Sequence, residues 1–256
     1  HLAAQSFPKA SFQMPNTTFD VNINGTYDLL DAQRIYGKKN TKIHVCSSSE
    51  VFGRVSKENL PIDENCSFHP ASPYAISKIG TDLIGKFFFE AYGLKIFITR
   101  MFTHTGPRRG DVFAESSFAK QLVMIEKNII PPVIYTGNLE SLRTYADVRD
   151  AVEAYYLLVT KGKLFGEAYN IGGSYTCTVR QMLNFLISKS SFNGKITIKK
   201  DKKRNRPIDA DLQVPNIKKF SKEFNWKPKY SFEKTMIDLL NYWRVKIDKK
   251  ESFIVR

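Results

Sequence analysis

Three serines and a glutamate, Ser47, Ser48, Ser49 and Glu50, directly follow the apolar run "KIHVC". Hydroxyl and carboxylate side chains can hydrogen-bond a substrate and move protons. In an open parallel sheet, ligands bind beyond the carboxyl ends of the strands. If the apolar run is a strand, these four side chains face a binding site, although serines after a strand also occur in plain turns.

A tyrosine and a lysine stand four residues apart in "SPYAISK". On a helix, this spacing puts Tyr74 and Lys78 on one face, one turn apart. Because an ammonium near a phenol favours the phenolate, we expect Lys78 to lower the pKa of Tyr74 from about 10 toward neutrality. Tyrosine can then act as a general acid or base. The pattern alone is unspecific, since it occurs by chance in many proteins.

The composition predicts one large globular domain, alone or with a small second lobe. The chain has 256 residues, 42% of them hydrophobic, and a net charge of +14. Many basic residues cluster in the last quarter, for example in "KKDKKRNR". This local clustering favours a solvated lysine-rich surface over a nucleic-acid surface.

The cysteines and the hydropathy indicate the compartment. Three cysteines without CxxC spacing predict neither a disulfide framework nor a metal site, and they suit a reducing compartment. No apolar run approaches the roughly 20 residues that span a bilayer, and no signal peptide is recognisable. We therefore expect a cytoplasmic protein that binds neither membranes nor nucleic acid.

Apolar periodicity and turn residues predict alternating strands and helices. Strands are predicted at 42–48, 95–102, 132–137, 168–173 and 195–200, and helices at 16–36, 73–92, 113–128, 147–160, 178–189, 215–224 and 231–248. Short connections between alternating elements indicate an α/β fold with parallel βαβ units. The lysine-rich connections after about residue 190 indicate a smaller lobe. Helix 73–92 is apolar around most of its circumference, so it either lies deep in the fold or packs against a second subunit.

The motifs "HLAAQS", "VNINGTYDLLDA", "SSSEVFG", "SPYAISK", "HTGPRRG", "GNLESLRTYADVRDAVEAYYLL", "GEAYNIGG" and "RPID" resemble, in this order, the extended short-chain dehydrogenase/reductase family. Within its nucleotide-sugar branch, the chain looks most like GDP-mannose 4,6-dehydratases and the related GDP-4-keto-6-deoxymannose reductases. The resemblance covers nearly the whole chain. It implies a Rossmann-type doubly wound parallel sheet and a smaller C-terminal α/β substrate lobe.

The resemblance also implies a division into domains and an assembly. Residues 1–110, with part of 133–172, would belong to the NAD(P)-binding domain. Residues 111–132 and 173–256 would form most of the lobe that binds a nucleotide sugar, most simply a GDP-sugar. Relatives lead us to expect a homodimer or homotetramer through the helix that carries Tyr74 and Lys78.

The resemblance implies catalytic roles for five residues. Tyr74 would remove the C4 hydroxyl proton of the sugar while hydride passes to NAD or NADP, and Lys78 would hold the nicotinamide ribose. Ser48 matches a residue, usually threonine in dehydratases, that hydrogen-bonds the C4 oxygen. Glu50 would then remove the C5 proton, with Ser49 near the C6 hydroxyl that leaves as water before hydride returns to C6. These roles describe a 4,6-dehydratase, a lyase.

Two other functions stay open. Simple reductases of the branch also carry Ser-Ser-Glu at this place, so Glu50 permits dehydration without requiring it. A reductase, or an oxidoreductase or epimerase acting only at C4, is the first alternative. An inactive fragment that binds nucleotide sugars is the second, and a structural role of Glu50 in capping or pairing a loop remains compatible with the sequence.

The resemblance also assigns binding residues. The cofactor positions are His1, Ala3, Ala4, Ser47, Tyr74, Lys78 and His104. The substrate positions are Ser6, Thr103, Lys120, Arg143 and Arg206. The two arginines suit a diphosphate because a guanidinium offers parallel donors, although these cations can also be ordinary surface charges. Thr103 replaces an asparagine that touches the sugar phosphate in relatives, so a shifted substrate is expected.

The cofactor fingerprint of the family is missing from the sequence. The fourteen glycines form neither GxGxxG nor GxxGxxG, the turn that holds a pyrophosphate at a helix N-terminus. Because "HLAAQS" normally ends the fourth strand, we expect a piece lacking roughly seventy residues, which alone would bind dinucleotide poorly. NAD and NADP cannot be separated without that turn, and the resemblance leans toward NADP.

Overall fold

A computed structural model describes residues 1–249 of the chain. The helices of this part are α1 (Pro8–Gln13), α2 (Pro15–Phe19), α3 (Gly25–Tyr36), α4 (Pro73–Tyr92), α5 (Ala114–Glu126), α6 (Val148–Lys161), α7 (Val179–Ser188), α8 (Lys218–Phe224) and α9 (Phe232–Asp248). The strands are β1 (Lys42–Cys46), β2 (Lys95–Met101), β3 (His104–Thr105), β4 (Val133–Thr136), β5 (Leu142–Asp147), β6 (Ala168–Ile171), β7 (Tyr175–Thr178), β8 (Thr197–Lys200) and β9 (Leu212–Gln213).

The central sheet has the strand order β1-β2-β6, and all its pairs are parallel. Its strands are buried on both faces, because Ile96 and Ile98 of β2 pack in one apolar cluster with Val45 and the intervening Phe97 packs in another. The carboxyl ends of β1 and β2 therefore point to the same edge of the sheet. This edge is where the serine and glutamate cluster begins, which confirms the predicted α/β arrangement around it.

Local sequence signals define α4, which carries the tyrosine and the lysine. The Ser72 side chain accepts a hydrogen bond from the Ala75 amide, and Pro73 occupies the first turn, where its missing N–H costs nothing. The helix ends at Gly93, whose φ of 67° is accessible to glycine. The predicted bounds of this helix are confirmed.

Of the two alternatives for α4, burial of the whole helix within the chain does not hold, and packing against a second subunit, the preferred one, stays a prediction. Its side chains Ile76, Leu83 and Phe87 are 47%, 53% and 50% exposed. They follow one another at spacings of seven and four residues, which places them on one stripe of the helix. Contact with a second subunit is therefore the remaining explanation of this apolar stripe.

The second sheet departs from the predicted parallel pattern. β5 pairs with β3 and β9 in parallel but with β7 antiparallel. A short turn joins β6 to β7, so the chain reverses its direction before β7 pairs with the earlier strand β5. Gly173 lies in this turn, and a Cβ there would stand 1.8 Å from the carbonyl oxygen of Tyr145. Only glycine permits this approach of the two backbones.

The predicted continuous helix at 16–36 is also wrong in detail. A five-residue π-helix, Asp20–Asn24, separates α2 from α3. The wide turn lets the Asn22 amide group donate to the carbonyl oxygen of Gln5 at 3.0 Å and to the Ser77 hydroxyl at 2.9 Å. The side chain of Asn22 thus ties the start of the chain to α4, and this tertiary contact overrides the helical periodicity.

Separate apolar cores support the two parts of the fold. Buried residues of β2, β6, α6 and α8 form one cluster around Tyr169, and those of α5, α7 and α9 form another around Leu122. A third strand pair, β4 with β8, lies beside α5. None of the helices within residues 1–249 combines the length and hydropathy needed to cross a membrane.

Candidate active site

A cavity of about 800 Å³ opens beyond the carboxyl ends of β1 and β2. Ten residues that the sequence predicted as catalytic or binding line it: Ser6, Ser48, Ser49, Glu50, Tyr74, Thr103, His104, Lys120, Arg143 and Arg206. They come from strand ends, helix starts and loops up to 200 residues apart. The structure therefore brings together the predicted catalytic cluster, apart from Lys78, and all the predicted substrate positions.

A short 3-10 turn holds the hydroxyl and carboxylate groups at the end of β1. The Ser48 hydroxyl accepts a hydrogen bond from the Glu50 amide at 3.2 Å and so caps the turn Ser49–Val51. Val51 and Phe52 are fully buried beneath it. The turn is anchored by apolar packing while Ser48 and Glu50 face the cavity.

Tyr74 projects from the first turn of α4 into the same cavity. Its backbone amide donates to the Ser11 hydroxyl at 3.0 Å, which fixes the start of the helix. Burial raises the pKa of the Tyr74 phenol to about 12, while hydrogen bonding with the Ser48 side chain acts in the opposite direction. Glu50 raises this pKa further and Arg109 lowers it.

The prediction that Lys78 lowers the pKa of Tyr74 is wrong in the protein without ligands. The Lys78 ammonium lies 6.0 Å from the centre of the tyrosine ring. It turns instead to the end of β1, where it donates to the carbonyl oxygen of Cys46 at 2.8 Å. Lys78 is 6% exposed, and burial lowers its own pKa. The rise in the Tyr74 pKa that desolvation causes is therefore larger than any lowering by the nearby ammonium.

The other predicted cofactor residues lie beside the cavity or on its wall. The Ser47 hydroxyl donates to the carbonyl oxygen of Lys78 at 3.2 Å. The amino group of His1 donates to the carbonyl oxygen of His44 at 2.9 Å, and its Nε2 is buried without a partner. Ala3 and Ala4 are exposed and half-buried, respectively, and neither lines the cavity.

His104 lies partly buried on the cavity wall as a neutral imidazole. Burial, followed by the positive charge of Arg109, lowers its pKa to about 4. Its Nδ1 is 3.3 Å from the carbonyl oxygen of Phe102. A neutral ring at working pH suits hydrogen bonding to a bound group rather than pairing with an anion.

Glu50 lies between the two arginines that were predicted to bind a diphosphate. Nη1 of Arg206 is 3.4 Å and 3.5 Å from the two carboxylate oxygens, and Nη1 of Arg143 is 3.9 Å from Oε1. Arg143 is fixed on β5 opposite Cys177 of β7. Nε of Arg206 is 3.6 Å from a carboxylate oxygen of Asp209. A carboxylate and two guanidiniums thus share one wall of the cavity.

Several cations on the cavity wall were missed by the sequence analysis. Arg109 lies 3.4 Å over the ring of Phe113 and pairs with Glu115 at 3.3 Å. Lys203 and Arg204 also line the cavity. Both residues are exposed, as expected of a solvated surface, so the run "KKDKKRNR" borders the cavity while it faces solvent. The arginine pair in "HTGPRRG" was a usable signal for Arg109, whereas nothing local marked Lys203 and Arg204.

Lys120 lies on the cavity wall as predicted. Its ammonium is 2.6 Å from a carboxylate oxygen of Asp111, which also lines the cavity. Within residues 1–249, no three His, Cys, Asp or Glu side chains are grouped to hold a metal ion. The cavity is thus built from hydroxyls, carboxylates, a neutral imidazole and cations, a set suited to a polar anionic ligand.

A family model and individual relatives relate this chain to the same group of proteins. Residues 1–239 match the family model for GDP-mannose 4,6 dehydratase. The chain is 26% identical to a GDP-6-deoxy-D-mannose reductase of Pseudomonas aeruginosa, covering 96% of this chain and 80% of the relative. It is 32% identical to GDP-mannose 4,6 dehydratase 1 of Arabidopsis thaliana, covering 91% of this chain and 64% of the relative.

Solved structures share the fold. RMD from Pseudomonas aeruginosa, complexed with NADPH, has a TM-score of 0.88 at 26% identity, covering 96% of this chain and 80% of that one. A UDP-glucose 4-epimerase of Thermus thermophilus, in complex with NAD, has a TM-score of 0.82 at 26% identity, covering 95% and 76%. The protein thus belongs to the GDP-mannose 4,6-dehydratase family, within the extended short-chain dehydrogenase/reductases of the Rossmann fold.

Proposed function

We propose that the protein is an NAD(P)-dependent 4,6-dehydratase of a nucleotide sugar, with a GDP-sugar such as GDP-mannose as its substrate. The observation that supports this most is that Glu50 lines the same cavity as Ser48 and Tyr74 in a chain whose residues 1–239 match the GDP-mannose 4,6 dehydratase model. Chemistry at C4 alone needs only a hydroxyl, a phenol and a lysine. A dehydratase also needs a base for C5, and Glu50 supplies a carboxylate where that base is required.

The groups at the end of β1 and the start of α4 act on C4. Ser48 and Tyr74 hydrogen-bond the C4 oxygen, and Tyr74 takes its proton. Because burial raises the pKa of Tyr74 to about 12, this step needs positive charge near the phenol, and Arg109 already acts in that direction. The nicotinamide cofactor, when bound, takes a hydride from C4 and returns it to C6.

Glu50 and Ser49 act on C5 and C6. A ketone at C4 makes the neighbouring C5 hydrogen acidic, and Glu50 takes this proton. The C6–O bond then breaks, and the hydroxyl group, with Ser49 as its hydrogen-bond partner, leaves as water with the proton that Glu50 took from C5. Ser49 is 5% exposed, so bulk water has little access to this end of the cavity.

Cations around the cavity bind the nucleotide. Arg143 and Arg206 bind the diphosphate, which carries about two negative charges and favours guanidinium donors. Ser6, Thr103 and Lys120 contact the rest of the substrate. The net charge of +14 favours the approach of such an anion.

The groups beside the cavity fit a nicotinamide riboside. The unpaired buried Nε2 of His1 and the Lys78 ammonium at the end of β1 offer polar atoms to its hydroxyls and amide. Ser47, His104 and the backbone near Ala3 and Ala4 complete this set. We favour NADP over NAD, and a solved relative complexed with NADPH supports the choice.

The reaction can be tested by incubating the purified protein with GDP-mannose and NADP. We expect a GDP-4-keto-6-deoxy sugar by mass spectrometry, with catalytic amounts of cofactor and no net NADPH. Glu50→Gln should still oxidise C4 but stop the exchange of the C5 hydrogen with deuterium oxide. Undiminished exchange in this variant would remove Glu50 from the mechanism.

A reductase is the second candidate, and two observations favour it. The reductase of Pseudomonas aeruginosa is covered over 80% of its length, and Ser48 stands where dehydratases usually carry threonine. A reductase would consume one NADPH for each GDP-4-keto-6-deoxy sugar and would release no water from GDP-mannose. If neither substrate is turned over while GDP still binds, the protein is a binding protein.

We further propose that the protein forms a homodimer or homotetramer through α4. The stripe formed by Ile76, Leu83 and Phe87 is half-exposed in the single chain and would be covered by the partner's α4. Leu83→Glu should yield monomers in light scattering. Val152→Glu, which alters a 60% exposed residue of α6, is the matched control; monomers of the unaltered protein would contradict the proposal.

The domain division and the location remain part of the same proposal. We propose that residues 1–110 with part of 133–172 carry the cofactor, and that 111–132 and 173–256 carry most of the nucleotide-sugar site. The cavity lining includes residues of both parts, such as Tyr74 and Arg206. The three free cysteines suit a cytoplasmic location.

A further inference from the structure

The carboxylate that the proposed function uses as its C5 base is held by the arginines that the same function uses for the diphosphate. Glu50 has Arg206 and Arg143 as its ion-pair partners. We propose that Glu50 and the substrate diphosphate compete for these two guanidiniums, so that diphosphate binding releases Glu50 toward the sugar. This inference rests on the proposed function, and it adds a positioning step that the function alone does not contain.

The distances show that Glu50 is held loosely. Its contacts with the two arginines measure 3.4 Å to 3.9 Å. In the same protein, the buried Arg100–Asp82 pair measures 2.8 Å, which is typical of a charge-assisted hydrogen bond. The arginines are therefore only loosely paired with the carboxylate and can rotate toward an anion that accepts shorter hydrogen bonds.

The charges favour the exchange. Glu50 pairs with both guanidiniums, whereas Asp209 pairs with Arg206 alone, so Arg143 has to share its carboxylate partner. A diphosphate carries about two negative charges and offers oxygens at the spacing of a guanidinium fork. Glu50 and Arg143 are only 14% and 13% exposed at their side chains, so water screens these charges poorly.

Asp209 keeps Arg206 in place during the exchange. Its carboxylate faces Nε of Arg206 at 3.6 Å, whereas Glu50 faces Nη1. Asp209 is itself 3.4 Å from the amide nitrogen of Asn138. The guanidinium can therefore give up Glu50 on one edge while Asp209 continues to hold the other.

Binding of GDP, which has no sugar, tests the competition without catalysis. We expect Glu50→Gln to bind GDP about fivefold more tightly than the unaltered protein in isothermal titration calorimetry, equivalent to about 1 kcal/mol. Glu50→Asp keeps the charge but withdraws the carboxylate from the arginines, so it should also bind more tightly. Glu140→Gln removes an exposed carboxylate that pairs with Arg180 outside the cavity, and it should leave the affinity unchanged.

A double-mutant cycle separates competition from simple repulsion. In an Arg206→Gln background, the gain from Glu50→Gln should shrink from about fivefold to about twofold, because one shared partner is gone. An undiminished gain in that background would overturn the proposal. A gain in affinity for Glu50→Gln that is absent for Glu50→Asp would also overturn it. A charge effect that does not depend on the distance to the arginines would then explain the gain.

The same variants distinguish this inference from the proposed function. If Glu50→Gln stops dehydration but leaves GDP affinity unchanged, the competition fails and the function stands. If the variant still dehydrates GDP-mannose yet binds GDP more tightly, the role of Glu50 as base fails and the competition stands.

Discussion

Tyr74 should titrate far above an ordinary tyrosine in the protein without ligands. Burial raises its pKa from 10.0 to about 12, which makes the phenol about a hundredfold weaker as an acid, a difference of about 3 kcal/mol. An ultraviolet difference titration of the unaltered protein against Tyr74→Phe isolates this one tyrosinate. We expect its midpoint near pH 12.

The same shift predicts how stability depends on pH. The folded state keeps a proton that the unfolded chain releases near pH 10, so the stabilisation is complete below that pH and declines as the pH rises toward 12. Relative to Tyr74→Phe, the unaltered protein should lose up to about 3 kcal/mol of unfolding free energy over this range. Chemical denaturation at several pH values measures it.

Two further variants make the ionisation experiment decisive. Ser48→Ala removes a hydrogen bond that lowers the pKa of Tyr74, so it should move the midpoint upward. Tyr36→Phe removes the phenolic hydroxyl of a residue that is 85% exposed, and it tests whether the loss of any tyrosine produces the same difference. A Tyr74 titration centred at or below pH 10 would refute the argument that burial dominates the phenol.

Three other substitutions test the supports of the site. Asp82→Asn leaves the 9% exposed Arg100 without its charged partner, and we expect a loss of about 3–5 kcal/mol in denaturant unfolding; a loss near zero would contradict the buried pair. Gly173→Ala forces a Cβ to within 1.8 Å of the Tyr145 carbonyl oxygen, so it should lower the melting temperature strongly, and unchanged melting would contradict that contact. Thr178→Ala removes the capping box of α7 and should cost about 1 kcal/mol by the same denaturant assay, whereas a neutral result would contradict the cap.

Local signals explain what the sequence predicted correctly. The serine before the proline and the glycine after the last turn mark both ends of α4, because caps depend on a few neighbouring residues. The position of Glu50 beyond β1 follows from a general rule for parallel sheets. The ordered family motifs supplied the roles of Arg143 and Arg206, which neither spacing nor composition indicates.

Long-range contacts explain what the sequence did not show. The pairing of β5 with β7 depends on a reversal at Gly173, and the polar alternation of β5 resembles a loop. Glu50 and Arg206 are 156 residues apart in the chain, so no local pattern joins them. The Tyr74 pKa depends on desolvation, a property of the folded surroundings, and the spacing to Lys78 predicted its direction wrongly.

The two groups proposed to accept protons are both restrained by the protein's own structure, in opposite ways. Tyr74 keeps its proton because burial disfavours the phenolate, so it needs added positive charge. Glu50 is turned toward two arginines, so it needs an anion that takes its place. A substrate without phosphate groups supplies no such anion, and methyl mannoside should therefore lose C5 exchange more than C4 oxidation relative to GDP-mannose. Equal losses at both carbons would mean that the diphosphate only binds the substrate and does not position Glu50.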